Sequence, residues 1–253
     1  MTASRNQSPT RFLLGLIGIL LFFGLWQLIG TYKLAGMTWP TLTSVLSFIA
    51  DPARRPLLLR ATTASFSSVA IGYSLGVLIG LILAAVSLIL ASVKPGLDRL
   101  VALIHAVPPI ALAPVFMTLS SRDATPVALC ALGVFYLIYI AATSGFGATS
   151  EAHRSLFQTL GAGPFATVLR LYLPSALPSL ISGLKLAIPV AFMGEIVGEW
   201  FGASRGLGLL MVSGMQNFQI PLLWSAVLIT TATSLILFAL MGVAERFVEE
   251  RFR

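Results

Sequence analysis

Hydrophobic residues in this chain run in long, nearly unbroken blocks. They show neither the two-residue alternation of a half-buried strand nor the narrow stripe of a soluble helix. Six blocks stand out, at about 12–30, 65–91, 98–119, 125–146, 176–199 and 220–243. Each is close to the roughly 20 apolar residues that an α-helix needs to cross a bilayer. The longest polar stretches, 31–62, 147–175 and 200–219, leave no room for a soluble domain. The pattern predicts an all-α, polytopic membrane protein with about six transmembrane helices, a single transmembrane domain over 1–253. Residues 1–60 hold the first span and an outer loop, and residues 61–245 the remaining spans. A short interfacial helix is expected around Thr41–Ala50, after Pro40. The first block is longer than the 7–15 apolar residues of a cleavable signal, so it reads as a retained span.

Composition sharpens this picture. Of 253 residues, 57% are hydrophobic and 10% charged, against about 25% charged in soluble domains. The net charge of +7 does not point to nucleic acid, because the bases are scattered between apolar runs without a basic stripe. They fit positively charged loops beside a lipid bilayer instead. With an inside N-terminus, Arg5, Arg11, Lys94, Arg99, Arg154, Arg170, Arg246, Arg251 and Arg253 face the cytoplasm. Lys33, Arg54, Arg55, Arg60, Arg122 and Arg205 face outward, a split of 9 to 6 that favours both termini inside the cytoplasmic membrane. Cys130 is the lone cysteine and excludes an internal disulfide framework.

Particular residues add detail. Gly72, Gly76 and Gly80 repeat every four residues on one helix face. Small residues let helix backbones approach where lipid gives no hydrophobic drive for pairing, either within one subunit or at a dimer seam. Pro108, Pro109 and Pro114 interrupt the third block. Freed carbonyls at membrane depth need protein neighbours or a wet cavity, so this span either bends to line a pathway or kinks for packing. His105, Lys185 and Glu195 are the ionisable groups placed at membrane depth. Lys185 either lines a cavity or is paired or snorkelled. Glu195 and Glu199, four apart, share a face near the outer end of the fifth span.

The loop 147–175 is the most informative segment. Thr149 or Ser150 can cap a helix, with Glu151 in its first turn against the positive end of the dipole. Leu156, Phe157 and Leu160 form an apolar edge, and Gly161 ends the helix as a C′ glycine. Pro164 suits the first turn of a second helix, which Pro174 either ends or hands on to the next. A partly apolar helix between two spans, outside the lipid, calls for a protein groove.

Glu151-Ala152, then Gly161, then Leu171-x-Leu173-Pro174 resembles the cytoplasmic EAA loop of ABC importer permeases, with His153 where Ala is usual. Further segments are similar to the nitrate, sulfonate, taurine and bicarbonate permeases over about residues 60–245. These are Pro108-Pro109-Ile-Ala-Leu-Ala-Pro114, then Ala176 to Lys185, where Arg is common at the last position, then Glu199 to Gly208. A Trp-Phe-Gly-type segment usual after the third span is replaced by Thr118-Leu-Ser-Ser-Arg-Asp123. The resemblance implies a type I importer permease fold and a chain that is not an enzyme. Its implied partners are a second permease copy (a homodimer or pseudo-twofold heterodimer), a cytosolic ABC ATPase dimer, and an external binding protein or lipoprotein. It also implies that Glu151, Ala152, His153, Leu156, Phe157, Leu160, Gly161 and Pro174 couple the permease to the ATPase. Pro108, Pro109, Pro114, Lys185, Glu195 and Glu199 are the candidate pathway residues.

No G-x-x-x-x-G-K-[ST] phosphate loop occurs, so ATP and its Mg are expected on the partner subunits and no cofactor or metal on this chain. Gly202-Ala-Ser204-Arg-Gly206 fits G-x-S-x-G but lacks the strand, turn and helix that a nucleophile elbow needs. An ion-coupled secondary carrier, the main alternative, often shows an internal repeat, and none is visible here. The resemblance, rather than any residue pattern, implies the solute: a small anion of the sulfonate or nitrate kind, or a molecule resembling a vitamin precursor.

Overall fold

A computed structural model of the chain describes residues 9–252, with side chains from 13 to 251. Arg5 and Arg253, counted among the inner bases, lie outside the described residues, as does the side chain of Arg11. The described chain is helical throughout. The first half contains α1 (Pro9–Thr31), α2 (Leu42–Ala50), α3 (Arg55–Ile89), α4 (Lys94–Ala106), α5 (Pro109–Leu119) and α6 (Ala124–Gly147). The second half contains α7 (Glu151–Thr159), α8 (Pro164–Thr167), α9 (Leu173–Trp200), α10 (Leu207–Gln216) and α11 (Ile220–Phe252). A π-helical turn, Val168–Tyr172, fuses α8 to α9.

Five stretches are long and apolar enough to cross a membrane: α1, α3, α6, α8 through α9, and α11. The third block is not the continuous span of 98–119 that the hydropathy suggested. It is two helices, α4 and α5, bent by 92°. Proline sterics explain the break. Val107 precedes Pro108 and is forced extended at ψ 122°, and Pro109 then starts a new helix where its missing N–H costs nothing. α3 begins at Arg55, ten residues before the expected boundary, because Pro56 suits a first helical turn. The 200–219 stretch, expected as a loop, contains the short apolar helix α10.

α6 forms the centre, with α3 on one side and α9 on the other. Small residues set these distances. A Cβ on Gly72 would stand 2.6 Å from Cys130 Cβ, one on Gly76 2.7 Å from the Ala131 carbonyl, and one on Gly80 2.7 Å from the Phe135 carbonyl. The three predicted packing glycines thus face α6 within one subunit. Gly194 plays the same part on α9, where an added Cβ would lie 2.6 Å from the Leu129 carbonyl. Van der Waals contact between closely approaching backbones supplies the cohesion that hydrophobic transfer cannot supply in lipid. α1 and α11 are peripheral, with little of either apolar window buried.

Beside this core, α2 forms as expected, with Thr41 as its N-cap accepting from the Ser44 amide at 3.2 Å. Three tryptophans the sequence reading did not single out tie it to the ends of α1 and α11. Trp26, Trp39 and Trp224 pack with ring centroids 4.8–5.5 Å apart. The Trp26 indole donates to the Pro40 carbonyl and the Trp224 indole to the Thr38 carbonyl. Such rings suit a membrane boundary, where an apolar body and a polar N–H are both accommodated.

Candidate coupling and translocation sites

The α7–α8 corner is built from local signals. Ser150 is the N-cap of α7, its hydroxyl accepting from the His153 amide at 3.3 Å. Glu151 lies in the first turn. At the other end the Gly161 amide donates to the Gln158 carbonyl and the Ala162 amide to the Phe157 carbonyl, both at 3.0 Å. With Gly161 at φ 65°, this is a Schellman termination, which satisfies carbonyls the helix end would leave free. Arg154, counted from sequence only as an inner base, ties α7 to its neighbours. Its guanidinium donates to the Phe146 carbonyl at 3.3 Å and stacks over Tyr172 at 5.7 Å.

Thus held, the corner presents apolar side chains outward. Leu156 is 52% exposed, Leu160 72% and Phe165 78%. Phe157, from the same predicted edge, turns partly inward, while Ala152 and His153 stay exposed. Pro174 does not end a helix. It lies in the first turn of α9, so the corner continues through the π turn directly into the long helix.

At the far end of α9 the chemistry reverses. Glu195 and Glu199 are 0% and 1% exposed and line no open surface. Ser65 Oγ on α3 donates to Glu199 Oε1 at 2.8 Å, and the Gly208 amide on α10 donates to Oε2. Ser65 Oγ also accepts from the Leu207 amide at 2.8 Å. One carboxylate and one hydroxyl therefore fasten the first turn of α10 to both α3 and α9. Gly206, the residue before α10, has φ 137°, and a Cβ there would overlap the Glu199 carboxyl. Both oxygens of Glu195 lack a hydrogen-bond partner among the described residues.

Lys185, left open between cavity and pairing, is paired. Its ammonium lies 2.7 Å from Glu245 Oε2 on α11 and 4.7 Å from the centroid of Phe238, while the Ser182 hydroxyl donates to Glu245 Oε1 at 2.6 Å. Glu245 was missed because it falls at the end of the last apolar block, where a solvated charge is the ordinary reading. Pro108 and Pro109 stand at the break of the third span, and Pro114 lies within α5. A cleft of about 360 Å³ opens beside this break, lined by His105, Val107, Pro109, Ile110, Val190 and Met193 among others. The His105 ring stacks on Tyr136, centroids 3.6 Å apart and planes within 3°.

Between the α5–α6 and α9–α10 loops, the Asp123 carboxylate accepts from both the amide and the hydroxyl of Ser204 at 3.1 and 2.7 Å. These two donors, assisted by the nearby Arg205 charge, hold the Asp123 carboxyl below the usual carboxylate range. Ser204 is thus engaged as a loop tie.

A multispan helical core with a capped, outward-facing corner between two spans is the form of a transporter's membrane subunit, and comparison with known proteins agrees. Residues 76–253 match the family described as binding-protein-dependent transport system inner membrane component. A probable ABC transporter permease of Haemophilus influenzae is 30% identical over 236 residues, 92% of this chain and 95% of that one. A formylaminopyrimidine transport permease of Halalkalibacterium halodurans is 30% identical over 186 residues, 73% and 74% of the two chains. Relatives also include aliphatic sulfonate, taurine, bicarbonate and nitrate permeases. A chain of the MetNI methionine ABC transporter in an inward-facing conformation shares the fold with a TM-score of 0.70 at 15% identity, covering 78% of this chain and 99% of that one. The chain belongs to the binding-protein-dependent transport system inner membrane component family. It is a permease subunit of an ABC importer and contributes to a translocation pathway.

Proposed function

We propose that this permease lies in the cytoplasmic membrane with both termini inside, works as a homodimer on a cytosolic ATPase dimer, and passes a small solute from an external binding protein. The observation that carries this reading is the α7–α8 corner. Three large apolar side chains, Leu156, Leu160 and Phe165, are held outward by a capped helix and a Schellman turn between two spans. Burying them in a groove of the ATPase removes that surface from water, and the continuous path from α8 through the π turn to α9 carries displacement into the core.

The cleft at the broken third span supports the solute reading. Its wall is apolar apart from one imidazole. Nitrate or a sulfonate would leave its hydration shell there with the His105 imidazole alone to compensate. A small ring-bearing molecule of the vitamin-precursor kind gains stacking and apolar contact instead, and one relative's described substrate is a formylaminopyrimidine. Taurine or nitrate as the preferred solute would overturn the substrate reading. The test is uptake of labelled formylaminopyrimidine against taurine and nitrate in vesicles containing the complete importer.

Coupling is tested separately, by ATPase recovery with tagged permease and by uptake. Gly161→Val and Glu151→Lys are expected to leave the permease in the membrane while ATPase recovery or uptake falls to a small fraction of wild type. Wild-type recovery and transport in both variants would reduce the corner to a connector.

A further inference from the structure

The end of the molecule opposite the α7–α8 corner carries a cleft of about 420 Å³ between the start of α3 and the α9–α10 loop. Arg60, Thr63 and Ser67 line it from α3, and Ser204, Arg205 and Gly206 from the loop. We infer that this cleft is the receptor for a carboxylate side chain presented by the external binding protein, gripped by Arg60 and Arg205. The inference rests on the orientation and partner proposed above and gives that partner a docking point.

Three observations support it. First, the cations are free. The described ion pairs within 4.0 Å are Arg54–Asp51, Lys94–Asp98 and Lys185–Glu245, so neither cleft arginine has an acid in reach among the described residues. Asp123 is near enough for its charge to be felt by Arg205, but it makes no ion pair with it within 4.0 Å and accepts from Ser204 instead. Two like charges lining one cleft repel, and an anion between them relieves that repulsion. Guanidinium forks match a carboxylate in two-point geometry.

Second, the Arg60 end of the cleft lies where α3 outruns the bilayer. α3 has 35 residues, about 52 Å at 1.5 Å per residue, against roughly 30 Å of hydrocarbon and 40–45 Å with headgroups. Its surplus length falls at the charged end, which holds Arg55 and Arg60, because the other end closes on the apolar Ser87-Leu-Ile89. This geometry puts Arg60 at the outer limit of the headgroups, within reach of a protein carboxylate from outside.

Third, the cleft adjoins the part of the fold that a docking signal must reach. Gly206 forms one wall and lies against Glu199, the carboxylate that fastens α10 to α3 and α9. An anion bridging Arg60 and Arg205 ties the α9–α10 loop to α3 from outside, over the same joint that Ser65 and Glu199 tie from within.

The test uses the complete importer in nanodiscs and its binding protein, reading the binding-protein concentration that half-maximally stimulates ATP hydrolysis. Arg60→Glu with Arg205→Glu is expected to raise that concentration by roughly tenfold, while ATPase recovered per permease stays at the wild-type level as a folding control. Added salt should raise the wild-type value steadily and the variant value little, since the screened attraction is already gone. The milder Arg60→Gln with Arg205→Gln should fall between, which guards against a charge-reversal artefact. An unchanged half-maximal concentration in both double variants overturns the inference. So does an effect that appears only as lost thermal stability dependent on anionic lipid, which would assign the cleft to a headgroup. A wild-type permease that recovers no ATPase overturns the proposed function as well, and is recognised before any variant is compared.

Discussion

The two ends of α9 invert each other. At the α8 end, Leu156, Leu160 and Phe165 stand in the open on a corner that is well terminated but lightly packed. At the α10 end, Glu195 and Glu199 are sealed among helices, and Glu199 meets donors from two other elements. Apolar groups outside and charged groups inside are each unfavourable alone. The first is left uncovered by the chain, whereas the second, at Glu199, is completed by the chain itself. One end is open, as the proposed docking requires, and the other holds the subunit's shape.

Two glycines give the sharpest way to break this comparison, because both have positive φ and differ in what surrounds them. Gly206→Val combines a disfavoured backbone with a side chain driven into Glu199, for an expected cost of roughly 3–5 kcal/mol. The variant should be nearly absent from detergent extracts as a monodisperse species, and normal recovery would show that the joint is loose. Next comes the acid pair. Glu199→Ala leaves the Gly208 amide and Ser65 without their acceptor and should cost about 2–3 kcal/mol, read as a lower unfolding temperature. Glu195→Met removes a carboxyl that has no hydrogen-bond partner among the described residues, and should leave that temperature unchanged or higher. Equal losses in the two would dissolve the distinction drawn between them.

Gly161→Val should cost only about 1–2 kcal/mol, since nothing lies within 4 Å of the added Cβ and only the φ of 65° is opposed. A collapse comparable with Gly206→Val would mean that the corner is a folding element. The smallest expected effect is at Asp123. Ser204 and Arg205 lower its folded carboxyl, so the tie contributes fully above the ordinary carboxylate pKa and fades as pH falls through the lowered value. Asp123→Asn should therefore unfold slightly earlier than wild type at pH 7, with the gap closing on acidification. A gap that widened would reverse the sign and reject the tie.

Much of this arrangement is legible in the sequence because it is local. Span length reports α1, α6 and α11, the Gly72–Gly76–Gly80 spacing reports the face that meets α6, and Ser150, Gly161 and Pro164 spell out the corner almost atom by atom. The break in the third span is marked by adjacent prolines, although its 92° angle is set by how α5 packs afterward. Non-local pairings leave no such trace. The Lys185–Glu245 pair joins residues 60 apart and the Ser65–Glu199 bond residues 134 apart, and neither partner predicts the other from spacing. α10 escaped because its ten residues fall well short of a span and its glycines read as loop. The tryptophan cluster escaped because Trp26, Trp39 and Trp224 each look ordinary at a membrane boundary until the fold brings them together.

The π turn at Val168–Tyr172 fixes an angular phase. An α-helix advances about 100° per residue, and a π turn holds one residue more than the α-turn it replaces. That extra residue shifts the bearing of α8, and with it of Phe165, relative to the face that α9 turns to α6. Removing one residue there would let the helix run through as regular α-helix, turning α8 by about 100° against α9 and straining the Arg154 ties that hold α7 to Phe146 and Tyr172. The wide turn thus lets the face of α9 that packs in the core and the face that α8 presents outward keep separate headings through a single backbone irregularity.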